Sequence, residues 1–452
     1  MLLFRVHPTH FERLAWSIPH FLSHVQCYTN SATLAIIASA FAHIDSTTVN
    51  TNPPNRKGIS QEWEVLVACA QQRNGFPKSR CSEVDWENLI RLALSHGMAP
   101  LLGSYLEQHA GSMPEGPSRR LQQTHAQALR HNLRLCTHLL QALRALDTCG
   151  VSAIPFKGPL LAERLYGNVA LRQSSDLDVI VRPEDVPAAV HTLREVGFKS
   201  RQRLSPKLLS ALTMADFELS LVRDGLYLEL HWDVMPRFYG INFGLGEAWQ
   251  RSRRVGAGGS TVLEFAPEDL FLALTLHGSK HYWARLIWLC DLAQLLYVTR
   301  TFDWHLLLTR ARGMRVERLL FVAFALLQEV LQVSLPSDMG LLVHMKQDPR
   351  SRNAFAMAKS NLCRSEPEEQ GFRTYRFFLS ARDSHADAVR QVIRHAMTPS
   401  GDELLGTGRA LPKAVYLLLH VWRLVRKTAR FAWRLVRRER DRADQETAVS
   451  AS

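Results

Sequence analysis

Asp176 and Asp178 stand two apart at the head of Asp176-Leu177-Asp178-Val179-Ile180-Val181, an apolar, β-branched run that reads as a buried strand. Residues two apart on a strand point to the same side, so the two carboxylates project together while Leu177 and Val179 face a core. Side by side they repel, and a hard divalent cation with oxygen ligands, Mg²⁺ above all, is the usual partner of such a pair. A later segment offers a third acid. Phe217 to Val222, then Arg223-Asp224-Gly225, then Leu226 to Trp232 reads as a β-hairpin around an Asp-Gly turn. In its second strand Leu226, Leu228, Leu230 and Trp232 form one face, and Tyr227, Glu229 and His231 form the other. If the two strands are neighbours, three carboxylates converge.

The elements that must position these acids are legible around them. Pro117 to Asp147 is amphipathic at helical spacing, with Leu121, Ala128, Leu135, Leu139 and Leu146 on or near one face, and Cys149-Gly150 closes it. Ser152 to Phe156 reads as the first strand. Lys157-Gly158 then marks a strand-to-helix turn, where a lysine can meet phosphate as a point charge and a glycine lets backbone N–H groups approach. Arg172, four residues before Asp176, is placed either to clamp phosphates or to pair with an Asp. Pro183-Glu184-Asp185 opens a helix with acids in its first turn, which ends at Gly197. The order strand, helix, strand, helix, hairpin predicts a small mixed sheet with helices packed on it. Gly256-Ala257-Gly258-Gly259 lacks the spacing of a dinucleotide-binding turn and reads as a plain loop. From Pro267 to about Val333 nearly everything is helical, and 341–400 follows suit. His277 and His281 have the i, i+4 spacing of a zinc pair, but no Glu follows His277 and no third ligand is evident. They read as cleft lining or buried histidines.

Composition excludes several classes. A chain of 452 residues with 46% hydrophobic and 21% charged residues is an ordinary globular protein with room for two or three domains. Its 7 cysteines are scattered without a Cys-x-x-Cys, which argues against a disulfide framework or thiolate zinc site and for a reducing, cytoplasmic compartment. The net charge of +13 is unevenly placed: eleven Lys/Arg against two acids between Arg409 and Arg442 account for +9, leaving +4 for the rest. That segment, 409–442, has a heptad seam from Leu411 through Trp422 and Val425 to Val436, with its arginines mostly off the seam. It reads as a terminal helix with a solvated arginine face, as a helix for a membrane surface or a partner protein, or, less well, as a nucleic-acid contact. Residues 1–60 fit poorly with the remainder of the chain; Thr33 to Ala42 is a weak signal-peptide core, and the segment is expected to be a poorly ordered extension.

The spacing of these residues resembles a known family. Lys157-Gly158, Leu165-Tyr166, Arg172, Ser175-Asp176-Leu177-Asp178 and the later Glu229-Leu230-His231 are similar to the nucleotidyltransferase superfamily, and within it to the bacterial uncharacterised nucleotidyltransferases. His277-Gly278, His281, Trp283, Arg285-Leu286, Trp288-Leu289 and Asp291-Leu292 resemble the helical half of that group, and the likeness covers roughly Trp63 to Asp402. It implies an α+β fold: a small mixed sheet with packed helices at 149–265, a helical region at 61–148, a helical domain at 266–402, and the basic helix at 409–442 appended. It implies Mg²⁺-dependent transfer of a nucleoside monophosphate from NTP to an acceptor, with pyrophosphate leaving. Asp176, Asp178 and Glu229 would be the catalytic and metal-binding acids, and Lys157, Gly158, Arg172 and Ser175 the nucleotide-binding residues. The resemblance leaves the acceptor unidentified, with a sugar, a small molecule, a peptide or a protein all open. The chain departs from the superfamily in having Gly158-Pro159 where Gly-Ser or Gly-Gly is usual, and a longer spacer to Asp176. That departure motivates a second reading, an inactive scaffold of the same fold that binds a nucleotide or partner protein.

Overall fold

The computed structural model describes residues 60–72, 84–109, 113–257, 259–336, 340–364, 367, 372–398 and 404–405. The basic segment 409–442 and the segment before Ser60 lie outside them. The expected α+β architecture is present. Three helices, α1 (Gln61–Ala70), α2 (Trp86–Ser95) and α3 (Ala99–His109), lead into α4 (Glu115–Thr148), the long amphipathic helix. Ser60 and Asp85 cap α1 and α2, each side chain accepting from an N–H of the first turn.

The sheet follows. Strand β1 (Ala153–Pro155) leads into α5 (Gly158–Tyr166), then come β2 (Asp176–Val181), α6 (Val186–Glu195), α7 (Pro206–Ala215), β3 (Glu218–Arg223) and β4 (Leu226–His231). Spatial order is β1-β2-β4-β3, with β2 and β4 parallel and the outer pairs antiparallel. The hairpin turn has Asp224 at φ 52° and Gly225 at φ 75°, the left-handed pair that a two-residue turn matching strand twist requires. Helix α7 was not anticipated from the sequence; its start is fixed by Ser205, whose hydroxyl accepts from Leu208 N at 3.2 Å. The glycine-rich 256–259 segment is also not a plain loop. Arg253–Ala257 (β5) pairs antiparallel with Ser260–Glu264 (β6), because Val255 and Val262 face each other across the ladder and Gly259, at φ 72°, supplies the bend.

One sheet face, made by Leu177, Val179, Val181, Leu219, Leu221, Leu228 and Leu230, packs in a core with Leu135, Leu139 and Leu146 of α4 and Leu193 of α6. Ile154, Phe156 and Ile180, on the opposite face, join a second core belonging to the helical half. The carboxylate-bearing face of β2 and β4 therefore lies at the seam between two cores.

That helical half comprises α8 (Leu245–Arg251), α9 (Pro267–Lys280), α10 (Leu286–Val298), α11 (Trp304–Met314), α12 (Glu317–Glu329), α13 (Gly340–Gln347), α14 (Pro349–Leu362), α15 (Phe372–Ser380) and α16 (His385–Met397). Helix α9 packs on α10, α11 and α12, and α10 also reaches α5. Between α9 and α10, Tyr282 and Trp283 both take left-handed φ, 55° and 53°, which folds the Trp283 ring back over Gly278. A methyl group at Gly278 would meet Trp283 ring carbons at 2.6 and 2.8 Å. Gly278→Ala is therefore expected to cost about 1–3 kcal/mol in denaturant unfolding, and an unchanged midpoint would mean that the buried indole shifts freely. Among the described residues no helix is long and apolar enough to cross a membrane.

Candidate active site

Parallel pairing of β2 and β4 sets Asp178 directly opposite Glu229, with Asp176 opposite Tyr227 and Ile180 opposite His231. The adjacency that the sequence left open is thus present, and it exists because alternation puts every leucine of both strands on the far face. Ligand atoms of Asp178, Glu229 and His231 lie within 4.8 Å of one another. Asp176 stands at the strand end on the same face, half-buried, and is within electrostatic reach of Asp178, Lys157 and Glu229. Ser175 hydrogen-bonds the Asp176 carboxylate.

Asp178 is the hub. Its side chain is 1% exposed, and Oδ1 receives the Lys157 ammonium at 2.8 Å and His231 Nε2–H at 2.9 Å. Burial by itself would raise the Asp178 pKa, but the Lys157 charge and the His231 hydrogen bond hold it well below the usual carboxylate range. His231 is buried too. Nε2 also faces Glu229 Oε2 at 3.6 Å, and Nδ1 faces Glu218 Oε2 at 3.4 Å. Burial disfavours its charged form, yet the bonds to Asp178 and Glu229, with Glu218 beyond, lift its pKa to about 9. His231 is thus an internal cation. Glu229, whose side chain is 30% exposed, is drawn below its ordinary value chiefly by that imidazolium. Asp176 is raised by burial and by the Asp178 charge. Lys157 is raised despite burial, because Asp178 and Asp176 lie beside it.

Gly158 begins α5 at φ 76°, and a Cβ there would sit 3.4 Å from the Asp176 carbonyl oxygen. The residue lets the helix N-terminus approach the head of β2. Pro159 falls in the first helical turn, where its missing N–H has no intrahelical acceptor to lose. The Gly-Pro departure is therefore compatible with the helix.

Arg172 feels the Asp178 charge across space, but its hydrogen bonds go elsewhere. Its Nε donates to both oxygens of Asp291, at 2.9 and 3.0 Å, and Tyr166 donates its hydroxyl to Asp291 Oδ1 at 2.9 Å. Asn132 of α4 fixes the loop by donating to the carbonyls of Val169, at 2.5 Å, and Arg172, at 2.7 Å. Of the two roles the sequence offers Arg172, the geometry is that of pairing with an Asp, and the triad ties α5 to α10. Burial pushes the Asp291 carboxyl up; Arg172, charged at all ordinary pH, keeps the pair ionic.

His277 and His281 sit with Trp288 in one aromatic cluster, rings 4.8 to 5.3 Å apart. Burial, and then the nearby lysines, hold both neutral, His281 at about 3 and His277 well below its ordinary value. Both lie within electrostatic reach of Lys157 and Lys280. Sequence reasoning put His231 on the polar face of its strand but assigned it no role, and overlooked Glu218 and Lys280. The alternation Glu218-x-Ser220 on β3 was the available signal for Glu218.

The residues fit a hard cation: Asp178 and Glu229 belong to a group, with His231, whose ligand atoms converge, and Asp176 adds a carboxylate on the same face, so that three carboxylates meet the two cations Lys157 and His231. Paired acids on one strand, a third acid opposite them on a parallel neighbour and a glycine turn at a helix N-terminus are the pattern by which the sequence resembles the nucleotidyltransferases. The chain belongs to the family described as uncharacterised nucleotidyltransferase, which matches residues 82–332, more than half of its length. No curated protein and no solved structure matches the chain.

A pH dependence arises from the imidazolium. A group whose folded pKa is raised stabilises fully below its unfolded value, and loses that contribution as pH climbs through the folded one. For His231 the window runs from 6.5 to about 9. Without divalent metal, the protein is expected to lose on the order of 3 kcal/mol across it, read as denaturation midpoints at stepped pH. His231→Gln should flatten this slope. An equal slope in the variant would assign the effect elsewhere.

Proposed function

We propose that the protein transfers a nucleoside monophosphate from a nucleoside triphosphate to an acceptor hydroxyl or phosphate, with Mg²⁺ as cofactor and pyrophosphate as leaving group. The observation that carries this reading is the register of β2 and β4, which places Asp178 opposite Glu229 with Asp176 on the same face. Asp176, Asp178 and Glu229 would hold Mg²⁺, which supplies positive charge to the phosphates and stabilises the attacking and leaving oxygens of an in-line displacement. Lys157 and His231 grip one oxygen of Asp178 and so fix the orientation of the other. Glu229, partly exposed, either holds the metal or takes the proton of the acceptor hydroxyl, and its lowered pKa favours the first role. Gly158 and the N-terminal N–H groups of α5 offer a phosphate contact near Asp176.

The test is a thermal-shift titration of the wild type with the four common NTPs, with and without Mg²⁺, followed by a pyrophosphate-release assay with the nucleotide that binds. At about a hundred times its Kd a nucleotide should stabilise the fold by about 2.7 kcal/mol. Absence of any Mg²⁺-dependent shift would overturn the reading.

A specific observation favours one alternative. Lys157 and His231 already offset the Asp178 charge from within the protein, an arrangement that an inactive scaffold binding a nucleotide or partner protein would also use. That reading expects nucleotide binding indifferent to Mg²⁺ and no pyrophosphate release. The chemical nature of the acceptor, and any membrane or protein contact through 409–442, rest on the sequence alone.

A further inference from the structure

Both cations that the sequence assigns to phosphate are engaged elsewhere. The Lys157 ammonium is 2.8 Å from Asp178, and Arg172 is bound through Nε to both oxygens of Asp291. A triphosphate arriving at Asp176 and Asp178 needs a cation other than these, because phosphoryl transfer leaves charge on the departing pyrophosphate that must be neutralised in place.

His277 and Lys280 at the end of α9 and the capping residue His281 share one side, and Lys280 is within electrostatic reach of Glu218, Glu229 and Asp178. The two histidines are neutral, so Lys280 is the charged member of that wall. Its ammonium lies 5.0 Å from the centre of the Phe217 ring, and that ring is 5.6 Å from the His231 ring, so the amine stands one aromatic ring away from the hub of the site. Among the described residues no carboxylate forms an ion pair with it. Glu218, Glu229 and Asp178 act on it only across space, and burial, the largest influence, pulls its pKa down. As a residue Lys280 is half-buried, while its ammonium sits in a largely desolvated setting. A desolvated lysine without a carboxylate partner, held beside a metal-type acid cluster, is an incomplete ion pair.

We propose that Lys280 completes its ion pair with the triphosphate of the donor nucleotide, gripping the phosphates that leave as pyrophosphate, while Lys157 serves Asp178. This rests on the nucleotidyl-transfer reading. It assigns the end of α9 as the phosphate side of the cleft, opposite the acids, and it gives the departing pyrophosphate a fixed positive charge without a further metal ion.

The experiment is calorimetric titration of the full chain, wild type, Lys280→Met and Lys280→Arg, with three probes in Mg²⁺: the NTP that stabilises the wild type, inorganic pyrophosphate, and the matching nucleoside without phosphates. Methionine keeps an apolar stem without the charge, and arginine keeps the charge. Lys280→Met should weaken NTP and pyrophosphate about ten- to a hundredfold, as loss of a charge-assisted contact does. It should leave nucleoside binding as in the wild type, and Lys280→Arg should recover most of the loss. Equal weakening of the nucleoside, or NTP and pyrophosphate bound as tightly by Lys280→Met as by the wild type, overturns the assignment and leaves the proposed reaction standing. A wild type that binds no NTP overturns the proposed reaction and this assignment with it.

Discussion

Asp178→Asn is expected to reduce the proposed nucleotidyl transfer by about 10³-fold or more, since in that reaction Asp178 would hold the metal that supports several kcal/mol of transition-state stabilisation. A second effect separates this residue from its neighbours. Asn keeps the shape of the side chain but leaves the Lys157 ammonium and the His231 imidazole, both within 2.9 Å of Oδ1, without their anion. Removing one partner of a buried charge pair costs about 3–5 kcal/mol. The cost here should fall near the lower end, because His231 can release its proton once the anion is gone. The metal-free variant should therefore unfold at clearly lower denaturant than the wild type. Glu229→Gln is the contrast. Its carboxylate is 30% exposed and meets His231 at 3.6 Å, so activity should fall as sharply while stability changes by less than about 1 kcal/mol. Transfer at the wild-type rate in Asp178→Asn would remove the acid cluster from the reaction altogether.

The Arg172–Asp291 pair should show the opposite pattern, a large stability effect with no direct chemical role. Asp291→Asn leaves a guanidinium in a site where both side chains are at most 7% exposed, and deprives it of the second oxygen that Nε reaches at 3.0 Å. Guanidinium cannot shed its proton to escape, so the expected cost is about 3–5 kcal/mol, measurable as a shift of the urea midpoint at unchanged slope. Replacing both partners by apolar residues, Arg172→Met with Asp291→Leu, removes the uncompensated charge and should recover much of the loss. If Asp291→Asn changes stability by less than about 1 kcal/mol, the triad with Tyr166 does not join α5 to α10 energetically. Because α10 carries Trp288, which packs on His277 and His281, loosening this tie is also expected to weaken nucleotide binding indirectly.

Much of this molecule is written locally. The Asp224-Gly225 pair between alternating strands specifies a hairpin, and the apolar face of α4 specifies which side of that helix meets the sheet. Alternation of period two puts Asp176 and Asp178, and separately Glu229 and His231, on single faces. These are properties of a few consecutive residues and the steric limits of the backbone, so they can be read without the rest of the chain. Where the local signal was weak it misled: the glycines at 256–259 hid the β5–β6 hairpin, and Ser205-Pro206, an ordinary helix start, was passed over.

The sequence by itself determined the kinds of residue available, the faces they occupy and the family to which they belong. Only the tertiary structure decided which charges meet. Arg172 and Asp291 are 119 residues apart, and His231 and Asp178 are 53 apart. Nothing in the local pattern distinguishes an arginine that will clamp a phosphate from one that will be neutralised inside the fold. The same holds for His231, an ordinary imidazole until the pairing of β4 with β2 on one side and β3 on the other brings Asp178 and Glu218 to join Glu229 around it and favours its charged form. Charge pairing in a desolvated site falls steeply with distance and depends on strand register and helix docking, and these are fixed by the packing of both cores together.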